Sequence, residues 1–225
     1  MSEWVFIDIP EGTVEGFAGC EFPFPVRKDR LETFEQLRKE TFPLPVLVDE
    51  LSEYLDEHPE RVERYRAAGA YLAFCAAIDT CIDNCREHAL DYFRLSLWFD
   101  PSNLAVRMSY AVDLHALERR EEAIAQYRII MEAGECVRWW RAWMLCGQAL
   151  LALGRDAEAL AVLREAVSAV PPEDQFWDTL AAAEARLEPR CGVCGAPAPP
   201  AARFCPQCGA PLTGPSRFAP AATTG

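Results

Sequence analysis

The sequence predicts an all-α protein made of stacked helical hairpins, with an irregular N-terminal segment and a small cysteine-rich C-terminal one. Three observations predict this arrangement. Apolar residues recur at helical spacing through most of residues 60–188, and the same pattern of small and bulky positions returns after about 34 residues. Four cysteines form two close pairs near the C-terminus.

The composition is that of an acidic globular protein. Hydrophobic residues make up 51% of the 225 residues, charged residues make up 25%, and the formal net charge is −13. Every acidic residue lies at or before Glu188. An acidic surface repels phosphate, so nucleic-acid and anionic-membrane partners are disfavoured for the main body. With neither an apolar run of membrane-spanning length nor a signal-like N-terminus, a cytoplasmic protein is expected.

Residues 1–59 are predicted to form an irregular segment that packs on the helices that follow. The run Trp4–Ile7 has strand character, and a stretch punctuated by Gly and Pro continues through Pro25. Helices are expected near residues 29–40 and 46–58, on either side of a break at two prolines.

Residues 60–188 contain the internal repeat. Small residues recur where two helices of a pair must approach closely, and bulky residues recur where the next pair packs. The small positions are Ala77, Ala89, Ala111, Ala123, Gly147 and Ala159, and the bulky ones are Phe93, Tyr127 and Leu163. The third copy follows after 36 residues, so two extra residues must be accommodated near residues 134–141. A last helix over residues 174–187 is expected to cap the stack through Phe176, Leu180, Ala183 and Leu187.

This pattern resembles tetratricopeptide repeats, whose 34-residue unit has small residues at two positions, an aromatic residue at a third and a proline near its end. The resemblance implies about three helical hairpins near residues 70–103, 104–137 and 140–173, stacked as a solenoid. It is specific for the fold and weak for function. An irregular helical bundle is the alternative interpretation.

The resemblance also implies which residues line the concave surface, because the first helix of each pair faces it. These candidate partner-binding positions are Tyr71, Phe74, Ile78, Cys81, Ala105, Met108, Val112, His115, Arg141, Met144, Gln148 and Leu151. Most are apolar, which favours a docked peptide or helix, with Arg141 adding one charge-assisted contact. The alternative is that the aromatic-rich N-terminal segment folds back and fills this groove.

A run of tryptophans and arginines precedes the third hairpin. Trp143 is expected in the repeat core, whereas Trp139 and Trp140 are candidates for a partner interface, since Trp and Arg are common interface anchors. Cys81, Cys85 and His88 would align as metal ligands on one continuous helix. The repeat pattern instead places a turn between the two cysteines, which favours buried thiols.

The strongest chemical signal is the pair of CxxC motifs. Cys191 and Cys194 form the first, Cys205 and Cys208 form the second, and a glycine follows each. Four thiolates complete a closed tetrahedral site for one structural Zn²⁺. Residues 189–212 resemble a zinc ribbon with few apolar residues, mainly Val193, Phe204 and Leu212, so folding is expected to require the metal. Two disulfides are the alternative, and residues 213–225 are expected to be disordered.

These observations favour a non-enzymatic adaptor or scaffold that binds a protein or peptide, with the zinc ribbon as a second docking module. The alternative is a nucleic-acid-, ribosome- or transcription-associated zinc-ribbon factor. The sequence has no glycine-rich phosphate loop, HExxH motif or nucleophile elbow that would predict an enzyme.

Overall fold

A computed structural model describes residues 4–9, 23–38, 42–171, 175–187, 190–198 and 202–212. The described residues are mostly helical and form two compact units, residues 1–119 and residues 120–225. The expected disordered tail and most of the Gly- and Pro-punctuated N-terminal stretch lie outside the described residues. No helix in the described part of the chain is both long and apolar enough to cross a membrane.

The first unit begins with a two-stranded antiparallel sheet. Strand β1 (Trp4–Ile7) agrees with the prediction, but strand β2 (Phe24–Arg27) lies where the sequence predicted only a punctuated stretch. Pro25 sits inside β2 opposite Phe6. A two-stranded sheet consists of edge strands alone, so it tolerates a residue without a backbone N–H, and the proline signal was misleading there.

Two helices complete the N-terminal segment. Helix α1 (Leu31–Leu37) and helix α2 (Leu44–Glu57) match the predicted helices to within a few residues. Strand β2 packs on α2, and α2 packs on the helix that follows it. The shared core lies between these elements, and its fully buried side chains include Phe24, Val26, Phe34, Leu47 and Leu51.

The rest of the first unit consists of three helices in sequence. A short 3₁₀ turn, Pro59–Arg61, leads into α3 (Val62–Ile82), which is followed by α4 (Arg86–Phe99) and α5 (Leu104–Ala116). Helix α3 packs on α4, and α4 packs on α5. Asn103 caps α5, since its side chain accepts a hydrogen bond of 3.2 Å from the backbone N–H of Val106.

In the described residues of the second unit there are four helices. They are α6 (Arg120–Glu132), α7 (Cys136–Ala152), α8 (Asp156–Ala166) and α9 (Phe176–Leu187). Consecutive helices pack on each other, and α9 also contacts α7. Helix α7 is kinked at Trp139, which has φ −114° and ψ 20°. The kink lies within residues 134–141, where the sequence required two extra residues to be accommodated.

The small positions of the repeat are all buried where they were predicted. A side-chain carbon added to Gly147 would lie 2.8 Å from Leu163 on α8, so the close approach of α7 and α8 requires a glycine there. Phe176 and Ala183 of the predicted α9 stripe are buried, whereas Leu187 is 41% exposed because the helix ends at that residue.

Candidate functional site

Four cysteine thiols converge near the C-terminus of the second unit. The Sγ atoms of Cys191 and Cys208 are 3.7 Å apart, those of Cys194 and Cys205 are 3.5 Å apart, and all four lie within 4.8 Å of one another. A zinc ion about 2.3 Å from four thiolates holds neighbouring sulfurs about 3.8 Å apart. The cluster therefore has the dimensions of a tetrahedral metal site, and its sulfurs are too far apart for disulfides.

The two CxxC motifs have the same backbone geometry. The N–H of Gly195 donates to the carbonyl of Cys191 at 2.8 Å, and the N–H of Gly209 donates to the carbonyl of Cys205 at 2.9 Å. Both glycines have positive φ, 71° and 72°, a conformation that side chains disfavour. Each motif is therefore a tight turn that directs its two thiols to the same point.

Backbone donors also prepare two of the four thiols, those of Cys191 and Cys205, for a metal. The N–H of Cys208 is the main cause that lowers the pKa of Cys205, to about 6. The N–H of Cys194, followed by that of Val193, lowers the pKa of Cys191. The thiolate is the form that binds a metal, so these hydrogen bonds favour the ligand state of both cysteines.

Very little apolar surface is buried around the cluster. Cys191 and Cys205 pack with Ala196, Ala198 and Leu212. The other two residues predicted for this core are instead exposed, Val193 by 77% and Phe204 by 62%. So small a core suits a segment that a metal holds together, as the donor set also indicates.

Two segments of the chain match protein-family models. Residues 190–212 match the zinc-ribbon domain, and residues 140–185 match the tetratricopeptide repeat. The chain contains a tetratricopeptide repeat and a zinc ribbon. The two matches confirm both resemblances seen in the sequence. The first covers the four clustered cysteines, and the second covers all of α8 with most of α7 and α9.

Several solved structures are similar to part of this chain at low sequence identity. A MamA structure from Desulfovibrio magneticus RS-1 is 14% identical, with a TM-score of 0.49, and the alignment covers 71% of this chain and 84% of that one. YrrB, described as a tetratricopeptide-repeat protein with an unusual peptide-binding site, is 17% identical with a TM-score of 0.47. That alignment covers 69% of this chain and 81% of YrrB. No curated protein matches the sequence.

The inner face of the repeat helices in the first unit carries accessible apolar side chains. On α3, Tyr71 and Phe74 are half-buried and Ile78 is 36% exposed. On α5, Met108 and His115 are half-buried and Val112 is 39% exposed. Positions expected to line a binding surface are thus apolar and open to contact.

A cavity of about 580 Å³ borders this face. Tyr71 and Phe74 of α3 form part of its wall, and Pro101, Asn103 and Val106 at the start of α5 form another part. Pockets of several hundred Å³ accommodate small molecules or side chains of a peptide. The cavity is therefore large enough for anchor side chains of a bound segment.

The described part of the N-terminal segment packs away from this cavity. The rings of Trp4 and Phe6 contact Tyr54 on α2 at centroid distances of 5.3 and 5.8 Å, and Phe24 contacts Tyr65 at 5.5 Å. None of the described residues before α3 lines the cavity. The described aromatic residues thus join the segment to α2 and the start of α3, while Phe17 and Phe22 lie outside the described residues.

The inner face of α7, in the second unit, is divided into two parts. At its C-terminal end the side chain of Gln148 donates to Thr179 Oγ1 of α9 at 3.2 Å, and Arg186 of α9 donates to the carbonyl of Leu151 at 2.6 Å. At its N-terminal end Arg141 is exposed beside the buried Met144. Helix α9 therefore covers one end of this face and leaves the Arg141 end accessible.

The tryptophans near the α7 kink have different roles. Trp143 is buried, as expected, and its Nε1 donates to Glu165 of α8 at 3.2 Å. Trp139 and Trp140 are half-buried rather than fully exposed. The guanidinium of Arg138 lies 5.1 Å from the ring centre of Trp139, and that of Arg141 lies 5.5 Å from Trp140.

Cys81 is held by a carboxylate that the sequence had not singled out. Its thiol donates to Asp113 Oδ2 at 3.1 Å, and Arg86 pairs with the other oxygen of Asp113. Burial, followed by the hydrogen bond to Asp113, raises the pKa of Cys81 to about 12. This environment keeps Cys81 protonated, which disfavours a metal site with Cys85 and His88. The expectation of buried thiols was wrong for Cys85, which is exposed, while Cys81 is half-buried.

Proposed function

We propose that this protein is a non-enzymatic adaptor that binds a peptide or helix of a protein partner on the inner, concave face of its repeat helices. The observation that carries the proposal is the row of accessible apolar side chains on α3 and α5, next to a cavity. Apolar side chains left open at regular helical spacing are typical of a helix-in-groove or peptide-binding surface.

The physical driving force would be the burial of these side chains. Each Å² of apolar surface removed from water contributes about 25 cal/mol, so covering Phe74, Ile78, Met108 and Val112 supports association. Only part of that gain becomes affinity, because the partner loses translational freedom and its side chains become ordered. A partner segment with a few large apolar anchors suits this surface best.

The proposed role of the ribbon is structural and depends on one Zn²⁺ bound by Cys191, Cys194, Cys205 and Cys208. Four protein ligands close the tetrahedron and leave no position for a catalytic water. The bound ion would supply the folding energy that the small alanine-rich core lacks. Unbridged thiols suit a reducing compartment, so we place the protein in the cytoplasm. The exposed Val193 and Phe204 would make the ribbon a second docking surface.

A second candidate function is association with nucleic acid or with a nucleic-acid-processing complex through the ribbon. One observation favours it: residues 190–212 contain Arg190 and Arg203 but no acid, and Phe204 is exposed for base stacking. A four-thiolate zinc site carries about two negative charges, which offset both arginines. A salt-sensitive mobility shift of the full chain on RNA, abolished by Arg203→Glu, would favour this candidate.

The adaptor proposal is tested by affinity purification of the tagged full chain and two variants. Ile78→Glu places a charge on the inner face of α3, and Ile129→Glu places the same charge at a similarly exposed position on α6. A specific partner should be recovered with the native protein and with Ile129→Glu, but not with Ile78→Glu. Equal recovery with both variants would contradict the proposed surface.

A further inference from the structure

The accessible end of the inner face of α7 carries a cation that has no carboxylate partner among the described residues. Most described arginines of this acidic chain pair with Asp or Glu, for example Arg128 and Arg155 with Glu158, and Arg164 with Glu184. Arg141 is exposed, and its guanidinium lies against Trp140, with no described carboxylate within 4 Å. Its charge is thus left available for a ligand.

The neighbouring carboxylates are already engaged. The carboxylate oxygen Oε2 of Glu135 lies 3.9 Å from Nη1 of Arg138, and the carboxylate of Glu165 accepts a hydrogen bond from the indole N–H of Trp143. In a chain of net charge −13, this stretch of α7 therefore presents two arginines and no free acid of its own. Arg138 and Arg141 balance the charges of Glu135 and Glu165, so this neighbourhood is less acidic than the molecule as a whole.

Apolar surface lies directly beside this charge. Trp140 precedes Arg141 just beyond the kink of α7 and is half-buried, so part of its ring is open to a partner, whereas Met144, one turn further on, is buried beneath this face. The stacking of the guanidinium on Trp140 restricts its orientation, which reduces the entropy lost when it binds a carboxylate. Helix α9 ends this surface at Gln148.

We propose that the surface formed by Trp140 and Arg141 selects acidic partner segments, in which an Asp or Glu lies close to an aromatic or aliphatic residue. The carboxylate pairs with the guanidinium of Arg141, and the apolar residue packs on the half-buried ring of Trp140. This inference rests on the proposed function and adds the chemistry of the partner. A basic segment would be repelled by Arg138 and Arg141, so the surface discriminates between partners by charge.

Selection from a random dodecapeptide display library on the full chain tests the inference. The enriched peptides are expected to contain Asp or Glu within about three residues of an aromatic or aliphatic residue. Arg141→Glu is expected to lower the affinity for the most strongly enriched peptide by about tenfold or more. Arg141→Lys should lower it by less, because Lys keeps the positive charge but lacks the planar guanidinium group that pairs with both oxygens of a carboxylate. Arg164→Glu changes the net charge equally on α8 and should change affinity less than about twofold.

Each other outcome overturns the inference in a distinguishable way. Enrichment of neutral or basic peptides whose binding is lost in Ile78→Glu would leave the adaptor function standing and remove the acidic preference. Acidic peptides that bind Arg141→Glu as tightly as the native chain would assign them to another surface. Displacement of the peptide by an equally charged RNA dodecamer at the same concentration would point to nucleic acid. Failure to enrich any peptide would reject both proposals.

Discussion

The carboxylate of Glu50, fully buried on α2, accepts a hydrogen bond of 2.8 Å from the backbone N–H of Arg27 on β2. Its other oxygen accepts from Nη1 of Arg30 at 2.9 Å. One side chain therefore satisfies a backbone donor of the sheet and a guanidinium of the following turn. This arrangement joins the N-terminal hairpin to the helical part of the first unit.

Replacing this carboxylate is expected to release the hairpin. Glu50→Ala leaves the N–H of Arg27 without an acceptor in a partly buried position, and should destabilise the first unit by about 2–3 kcal/mol. Glu53→Ala removes a partly exposed partner of the same arginines and should cost less than about 1 kcal/mol. Urea unfolding with amide exchange at β2 measures both. Equal effects of the two variants would contradict the proposed role of Glu50.

The close approach of α7 and α8 makes a second prediction. In Gly147→Ala the higher helix propensity of alanine should stabilise the folded state by about 1 kcal/mol. The new methyl group overlaps Leu163, and this overlap should cost more than that gain, so the free energy of unfolding should fall by about 1–2 kcal/mol overall. In a Leu163→Ala background the same change should be neutral or stabilising. A double-mutant cycle, measured by thermal unfolding, gives the coupling free energy between positions 147 and 163. Additive effects would show that the two residues do not limit the helix spacing.

Cysteine reactivity should follow burial and pKa. Burial raises the pKa of Cys146 to about 11, whereas Cys85 is exposed. At pH 8 only about one Cys146 in a thousand is a thiolate, so iodoacetamide should modify Cys85 rapidly and Cys146 hardly at all. The pKa of Cys146 is higher in the folded protein than in the unfolded chain, so the folded state holds this proton more tightly. The contribution of Cys146 to the free energy of unfolding is therefore retained below about pH 9 and declines as the pH rises toward 11. Peptide mass spectrometry across pH 7–11 measures the labelling, and equal rates at pH 8 would contradict the burial.

Removal of the metal should affect the ribbon alone. The native chain is expected to contain one zinc per molecule by elemental analysis, and Cys194→Ser should lose it, whereas Cys85→Ser should keep it. After chelation, amide protection should disappear in residues 190–212 while α7, α8 and α9 keep theirs. Retained protection in the metal-free ribbon would show that its core folds without zinc.

The helical part of the fold was predictable because its local signals agree. Proline, glycine and asparagine mark the helix ends, and the spacing of small residues such as Ala77 and Gly147 reports helix contacts that recur in every pair. Strand β2 was missed because Pro25 normally excludes a strand, and only the pairing with β1 shows that it occupies an edge. That information lies in tertiary structure, not in the local sequence.

The candidate site was predictable to different degrees. The cysteine spacing was enough to bring the four thiols together, because a CxxCG turn constrains its own backbone. The exposure of Val193 and Phe204 was not predictable, since it depends on which side of each turn the thiols occupy. Nor could the sequence show that Gln148 contacts Thr179, because that contact depends on how α9 lies over α7.

The adaptor function is tested most directly by a photo-crosslinking amino acid placed at position 78, on the inner face of α3. If that face binds a protein, irradiation of the tagged chain in cells should join it to one discrete partner from position 78, and far less from position 129 on α6. Crosslinks of equal yield from both positions, or from position 129 alone, would contradict the account.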